Sequence, residues 1–193
     1  MRNERFSRRQ ALLGLAALGL SPRVLAEAPP PAGSARYAVE LIVFRQLGAL
    51  PTPVPTAGVA VTTTVPGRVL PLTESEWQLG PAEAALARGG YTVLAHTAWA
   101  VIVPANGRTT AHLEDLLAQP TQVAGSVALQ RGQYLFLGIE IDYRPADAGL
   151  SPSVVYSIRE KRRVKFGERH YFDHPAIGAI ASVVVPHGLV ENE

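Results

Sequence analysis

The chain has 193 residues, is 47% hydrophobic and 18% charged, and carries a formal net charge of +2 with no cysteine. That length buries one substantial core and leaves too little for two ordinary domains, while the lack of cysteine excludes disulfide staples, thiolate metal sites and a cysteine nucleophile. Residues 1–26 hold five of the 18 Lys and Arg and one of the 16 Asp and Glu, so the remainder is formally −2 and its overall charge gives no reason to expect nucleic acid.

Those first residues read as an export signal. Arg2, Arg5, Arg8 and Arg9 precede an apolar run from Ala11 to Leu20, and small residues follow at Val24 to Ala26. The run is too short to span a bilayer. Cleavage after Ala26 would start the mature chain at Glu27. Arg8 and Arg9 also form the pair associated with export of folded proteins, so two export routes stay open. No second long apolar run offers a membrane anchor once the signal is removed, and a soluble periplasmic protein is expected.

Residues 27–35 are a Pro-rich tether without a core face, and residues 36–193 are expected to form a single domain. Arg36–Gln46 reads as a strand with Tyr37, Val39, Leu41 and Val43 on one face; Ile42 and Phe44 make its other face apolar too, as in a central strand covered on both sides. Pro51, Pro53, Pro55, Pro66 and Pro71 then impose an irregular excursion, with room for one short strand at Val59–Val65.

Gly80–Gly90 has the clearest helix pattern, with Pro81 in the first turn, Glu83 near the N-terminus and a Gly pair to stop it. Tyr91–Val103 alternates as a long strand with Tyr91, Val93, Thr97, Trp99, Val101 and Val103 on one side. A turn at Pro104–Gly107 leads to Thr109–Gln119, where Leu113, Leu116 and Leu117 recur at helical spacing before Pro120. Val123–Arg144 reads as a hairpin turning at Arg131 and Gly132. Strands over Ser153–Phe166 and Ala176–Val185 bracket a corner at His170–Pro175. The expected fold class is α+β, mainly antiparallel β-sheet, a meander of five to seven strands with one or two short helices; barrel, sandwich and open sheet remain open.

Alternation in the strand over Ser153–Phe166 sorts Val154, Tyr156, Ile158, Val164 and Phe166 to one face and Arg159, Lys161, Arg163 and Lys165 to the other. Such a row is about 20 Å long and suits a polymer bearing carboxylates, which Arg grips bidentately and Lys meets as a point charge. The same row also suits a solvated face that blunts a strand edge. Glu160 and Arg162 interrupt the apolar face and need pairing, with each other or with Glu140 or Asp142.

At the corner, His170, Asp173 and His174 have side chains capable of metal ligation or proton transfer. Pro175 and the flanking strands favour a turn, in which Asp173 caps amides and Tyr171 and Phe172 pack. Trp99 stacks on a sugar face if exposed and is core if not. No nucleophile elbow or paired carboxylates give an enzyme an anchor, and no cofactor or metal is expected. A metal-dependent hydrolase built on His96, His170, Asp173 and His174 is the least favoured reading.

The segments YAVELIVFRQ (37–46), ESEW (74–77), YTVLAHTAW (91–99) and KRRVKFGERHYFDHPAIGAI (161–180) together resemble the CsiV family of periplasmic peptidoglycan-binding, cell-shape-integrity proteins. The resemblance rests most on the last segment, at Arg162, Arg163, His170, Tyr171, Phe172, Asp173, His174, Pro175 and Gly178. It departs from the family pattern at Ala100, Val101 and Phe136. It implies a non-enzymatic wall-binding protein that supports cell-wall assembly, with peptidoglycan as ligand and a lipoprotein activator of a penicillin-binding synthase as partner. A protein-docking adaptor with no direct wall contact is the alternative. Taken with the spacing, the ligand-binding candidates are Arg159, Lys161, Arg162, Arg163, Lys165, His170 and Trp99, and Tyr171, Asp173, His174 and Pro175 form a structural motif.

Overall fold

The computed structural model describes residues 32–48, 69–117, 122–146 and 154–186. The export signal, most of the tether and the strand expected at Val59–Val65 lie outside the described residues. Nine strands are described: β1 (Ala35–Arg45), β2 (Val69–Pro71), β3 (Thr92–Val103), β4 (Arg108–His112), β5 (Val123–Arg131), β6 (Leu135–Tyr143), β7 (Tyr156–Val164), β8 (Arg169–Asp173) and β9 (Ile177–Val184). Two short helices, α1 (Gly80–Arg88) and α2 (Leu113–Leu116), accompany them.

The strands form two antiparallel sheets, one in the order β2-β3-β1-β9-β8 and the other in the order β4-β5-β6-β7. Their inner faces share one core. Val39, Leu41 and Val43 of β1 and Trp99 and Val101 of β3 meet Leu129 of β5, Leu137, Ile139 and Ile141 of β6 and Ile158 of β7. The expected α+β, mainly antiparallel fold is therefore a two-sheet sandwich. Its strand number exceeds the expected five to seven because β2, β4 and β8 are too short to declare a period of their own.

Strand β1 is central in its sheet and buried on both faces, as its double apolar pattern predicts. Its outer face puts Ile42 and Phe44 against Leu79, with Ala82 and Leu86 of α1 packed on them. Two local readings are corrected. In β3 the register shifts between Val43 and Phe44, pairing Val43 with Ala95 but Phe44 with Val93. The extra residue, Leu94, is a bulge that inverts the alternation, so Tyr91 and Val93 face α1 rather than sharing the Trp99 side. The helix expected over Thr109–Gln119 is instead β4 followed by the single turn of α2. Thr109 and Thr110, β-branched and paired with Leu129 and Ala128, prefer the ladder.

The β5–β6 hairpin turns where expected, with the Gly132 N–H donating to the Tyr134 carbonyl over 3.0 Å. Chain crossings between the sheets occur at β3–β4, through Asn106 with φ 54, and at β7–β8, through Gly167 with φ 73. The corner expected over His170–Pro175 is in part strand β8, and the turn follows it at His174.

Candidate functional site

The outer face of the β4–β7 sheet is built by register. Pairing places Arg108, Gln130, Phe136 and Arg163 in one row across the four strands, and Thr110, Ala128, Gly138 and Lys161 in the next. Ser126, Glu140 and Arg159 stand in the third. Because Ala128 and Gly138 carry almost no side chain, the middle of this face is hollow. A groove of about 250 Å³ follows, with Arg108, Gln130 and Phe136 at one end, Glu140 and Arg159 at the other and Lys161 along the β7 wall.

The cationic row of β7 sits on this face as alternation predicts, but most of it is engaged. Arg159 donates to Asp142 Oδ1 at 2.6 Å and to the Ile141 carbonyl at 3.2 Å. Lys161 reaches across the hollow over Gly138 to Gln130 Oε1 at 2.6 Å, with its ammonium 5.3 Å from the centre of the Phe136 ring. The Arg163 guanidinium lies 3.6 Å over the Tyr134 ring. Lys165, beyond the strand end, pairs with Glu168 at 3.2 Å.

By contrast, neither Arg108 nor Glu140 has a hydrogen-bond or ion-pair partner among the described residues. Neither residue was among the ligand-binding candidates expected from the sequence. Arg108 fell between the expected turn at Pro104–Gly107 and the expected helix at Thr109–Gln119, and Glu140 entered only as a pairing candidate for the charges that interrupt the apolar face of β7.

The remaining candidates are not brought to the groove. Trp99 is 1% exposed in the core, so it presents no face to a sugar and its candidacy as a ligand contact is corrected. Alternation turns Arg162 to the inner side, where it pairs with Glu160 and donates to the Tyr171 carbonyl at 2.7 Å, its guanidinium 4.2 Å over Phe172. Arg162 thus closes the gap between edge strands β7 and β8. His170 shares that inner side, opposite Ala181, and its Nε2 is buried without a hydrogen-bond partner among the described residues.

The turn motif is structural in its contacts. Asp173 accepts from Gln46 Nε2 at 2.7 Å and from the Tyr171 hydroxyl at 3.0 Å, tying β8 to the end of β1. His174 Nδ1 accepts the Ala176 N–H at 3.1 Å just past Pro175, and burial holds its pKa below the ordinary value despite Asp173. His96, on the outer face of the other sheet, is held by two carboxylates. Its Nε2 meets Glu40 at 2.8 Å, its Nδ1 meets Glu83 at 2.9 Å, and Trp77 packs 4.3 Å away. The histidines of the hydrolase reading therefore lie on different faces, and no group of three or more potential metal ligands occurs among the described residues.

The sequence matches the family described as "Peptidoglycan-binding protein, CsiV" over residues 52–184, most of the chain. The protein belongs to the CsiV family. The match covers β2 to β9 and leaves β1, with its VELIVF core, ahead of it. No curated protein and no solved structure matches the chain. Among the described residues, no helix is long and apolar enough to cross a membrane.

Proposed function

We propose that this CsiV-family protein is a non-enzymatic, periplasmic peptidoglycan-binding protein whose ligand lies in the groove on the outer face of the β4–β7 sheet. The observation that carries the reading is the groove itself: a hollow floored by Ala128 and Gly138 and rimmed by Arg108, Arg159 and Lys161. Wall polymers are neutral in their sugars and anionic in their peptides, so a cationic rim over a shallow floor matches them without chemistry. In this reading residues 1–26 are removed on export, residues 27–35 tether the domain, and residues 36–193 act as one unit. Support of wall assembly and cell shape follows from the same contact. A lipoprotein activator of a penicillin-binding synthase would be met on another surface.

Cosedimentation of the purified protein with protein-free sacculi across a salt series tests the reading. Binding is expected to weaken as salt screens the rim. Gly138→Val is the discriminating variant, because a Cβ at Gly138 would meet nothing closer than 3.9 Å, so the new side chain fills the groove while the fold stands. Loss of pelleting with an unchanged melting temperature supports the reading. Full retention of the Gly138→Val variant removes the groove from it. Failure of the unmodified protein to pellet transfers wall association to a protein partner.

A further inference from the structure

Within the groove the two ends differ in sign. Arg108, on edge strand β4, is a cation without a partner among the described residues. Glu140, two strands away on β6, is an exposed carboxylate in the same condition. Arg159 stands directly opposite Glu140 in register yet is directed to Asp142 and a carbonyl instead. The neighbour that would ordinarily neutralise Glu140 is therefore spent elsewhere.

We infer that the groove reads the free end of an uncross-linked stem peptide, taking its terminal carboxylate at Arg108 and the side-chain ammonium of its diamino residue at Glu140. This rests on the reading of the groove as the peptidoglycan site, and it names which part of the polymer is bound.

Glycan alone fits poorly. N-acetylated sugars carry no cation, and their lactyl carboxyl is consumed in an amide where a stem is attached and is a lone carboxylate where it is not, so Glu140 would find no partner in either case. Among the described residues lining the groove, the single aromatic ring, Phe136, already faces the Lys161 ammonium, which removes it as a free stacking platform.

A stem peptide supplies both charges. Four residues along the strands and two strands across separate the backbone positions of Arg108 and Glu140 by about 16 Å. In a tetrapeptide stem the diamino residue directly precedes the terminal one, so one extended residue, about 3.3 Å, and the long diamino side chain cover part of this, and the reach of the Arg108 and Glu140 side chains covers the rest. Cross-linking converts the ammonium to a neutral amide. That product would leave Glu140 desolvated without a counter-charge, so the groove discriminates against mature, cross-linked wall.

Isothermal titration of the purified protein with four probes tests this. The probes are a disaccharide-tetrapeptide monomer with a free diamino-residue amine, the same monomer with that amine acetylated, the same monomer with its terminal carboxylate amidated, and a peptide-free glycan chain. Acetylation is expected to weaken binding about tenfold or more. Glu140→Gln should bind the free and acetylated forms alike; Arg108→Gln should do so for the free and amidated termini. Both side chains lie on the surface without partners among the described residues, so neither change threatens the fold.

The inference is overturned if the acetylated monomer binds as well as the free one. It is equally overturned if peptide-free glycan binds as tightly, or if Glu140→Gln leaves the discrimination intact. Absence of monomer binding at millimolar concentration also overturns it. In each of these cases the groove reading survives provided sacculi are still pelleted and Gly138→Val still prevents it. Failure of sacculus binding itself defeats both.

Discussion

Replacing Glu40 by Ala is expected to destabilise the protein by about 3–5 kcal/mol, the range for breaking a buried charge pair by removing one partner. Glu40 is 6% exposed on the outer face of β1. Its carboxylate accepts the N–H groups of Gln78 at 2.6 Å and Leu79 at 2.8 Å, where the chain enters α1, and it also meets His96 at 2.8 Å. It therefore supplies the acceptor that the N-terminus of α1 lacks in its own sequence, since Leu79 at the cap position makes no side-chain capping bond. Without it the buried Leu79 amide is orphaned, at about 1–3 kcal/mol, and His96, whose side chain is 5% exposed, keeps a single counter-charge in Glu83. At this chain length such a loss lowers the melting temperature by roughly 6–20 °C. Urea and thermal melts followed by circular dichroism measure it. A cost below about 1 kcal/mol, the level of an exposed ion pair, would refute the anchoring role. The pH dependence gives the same network a signature. Burial opposes charging of both groups, but His96 is raised above its ordinary 6.5 by its bonds to Glu40 and Glu83, and Glu40 is lowered below 4.5 by His96 and the two amides. The His96 contribution is complete below pH 6.5 and is lost as pH rises through the raised value. The Glu40 contribution is complete above pH 4.5 and is lost as pH falls through the lowered one. Stability should thus fall as pH rises beyond 6.5, and His96→Gln should flatten that decline.

Gly178→Ala places a Cβ 2.4 Å from the Phe44 ring and should cost about 1–3 kcal/mol by overpacking, with Phe44→Leu recovering much of the loss in the double variant's melting curve. Gly125→Ala is more severe, because φ is +131 and the Cβ would stand 2.0 Å from the Glu140 carbonyl oxygen; the expected outcome is loss of soluble, folded protein on expression. Arg162→Ala removes the link from β7 to the Tyr171 carbonyl and leaves Glu160 unpaired, so it should lower stability by about 1–3 kcal/mol while sacculus pelleting of the folded fraction is unchanged.

Much of the sandwich is legible in the sequence because alternation of period two survives wherever one face is buried and the other wet. Strand β7 is the best case: Tyr156, Ile158 and Val164 are buried and Arg159, Lys161 and Arg163 are exposed, and the expected Glu160–Arg162 pair forms. What alternation cannot supply is the identity of the neighbour across a strand pair. The bulge at Leu94 adds one residue with no compositional mark, yet it sends Tyr91 and Val93 to the opposite face. The groove is hidden for the same reason. Ala128, Gly138, Arg108 and Glu140 belong to three rows and three strands, whose adjacency exists only after β4, the start of a segment read as helix from the leucines that follow it, takes its place at the sheet edge.

The segments that carry the family resemblance and the residues that line the groove are largely different sets. Glu40, Trp77 and His96 come from three of those segments and converge on one buried node beside α1. Phe44 and Gly178 close-pack, and Arg162 joins β7 to β8 through Tyr171. Of the groove, only Lys161 comes from these segments. Recognisable sequence in this chain therefore marks the parts that hold two sheets and a helix in register, while the groove is furnished from β4, β5, β6 and the first half of β7. If the groove is the binding site proposed above, substitutions along β4–β6 change what is bound with little effect on the fold, and the departure at Phe136 is of this kind. Phe136→His keeps the ring's position beside Lys161 and Gln130 but replaces an apolar wall with a hydrogen-bonding one. It should change stability by no more than about 0.5 kcal/mol, as surface changes do, and shift affinity for sacculi in either direction. An effect on stability with none on binding would show that Phe136 packs the sheet rather than lining a site.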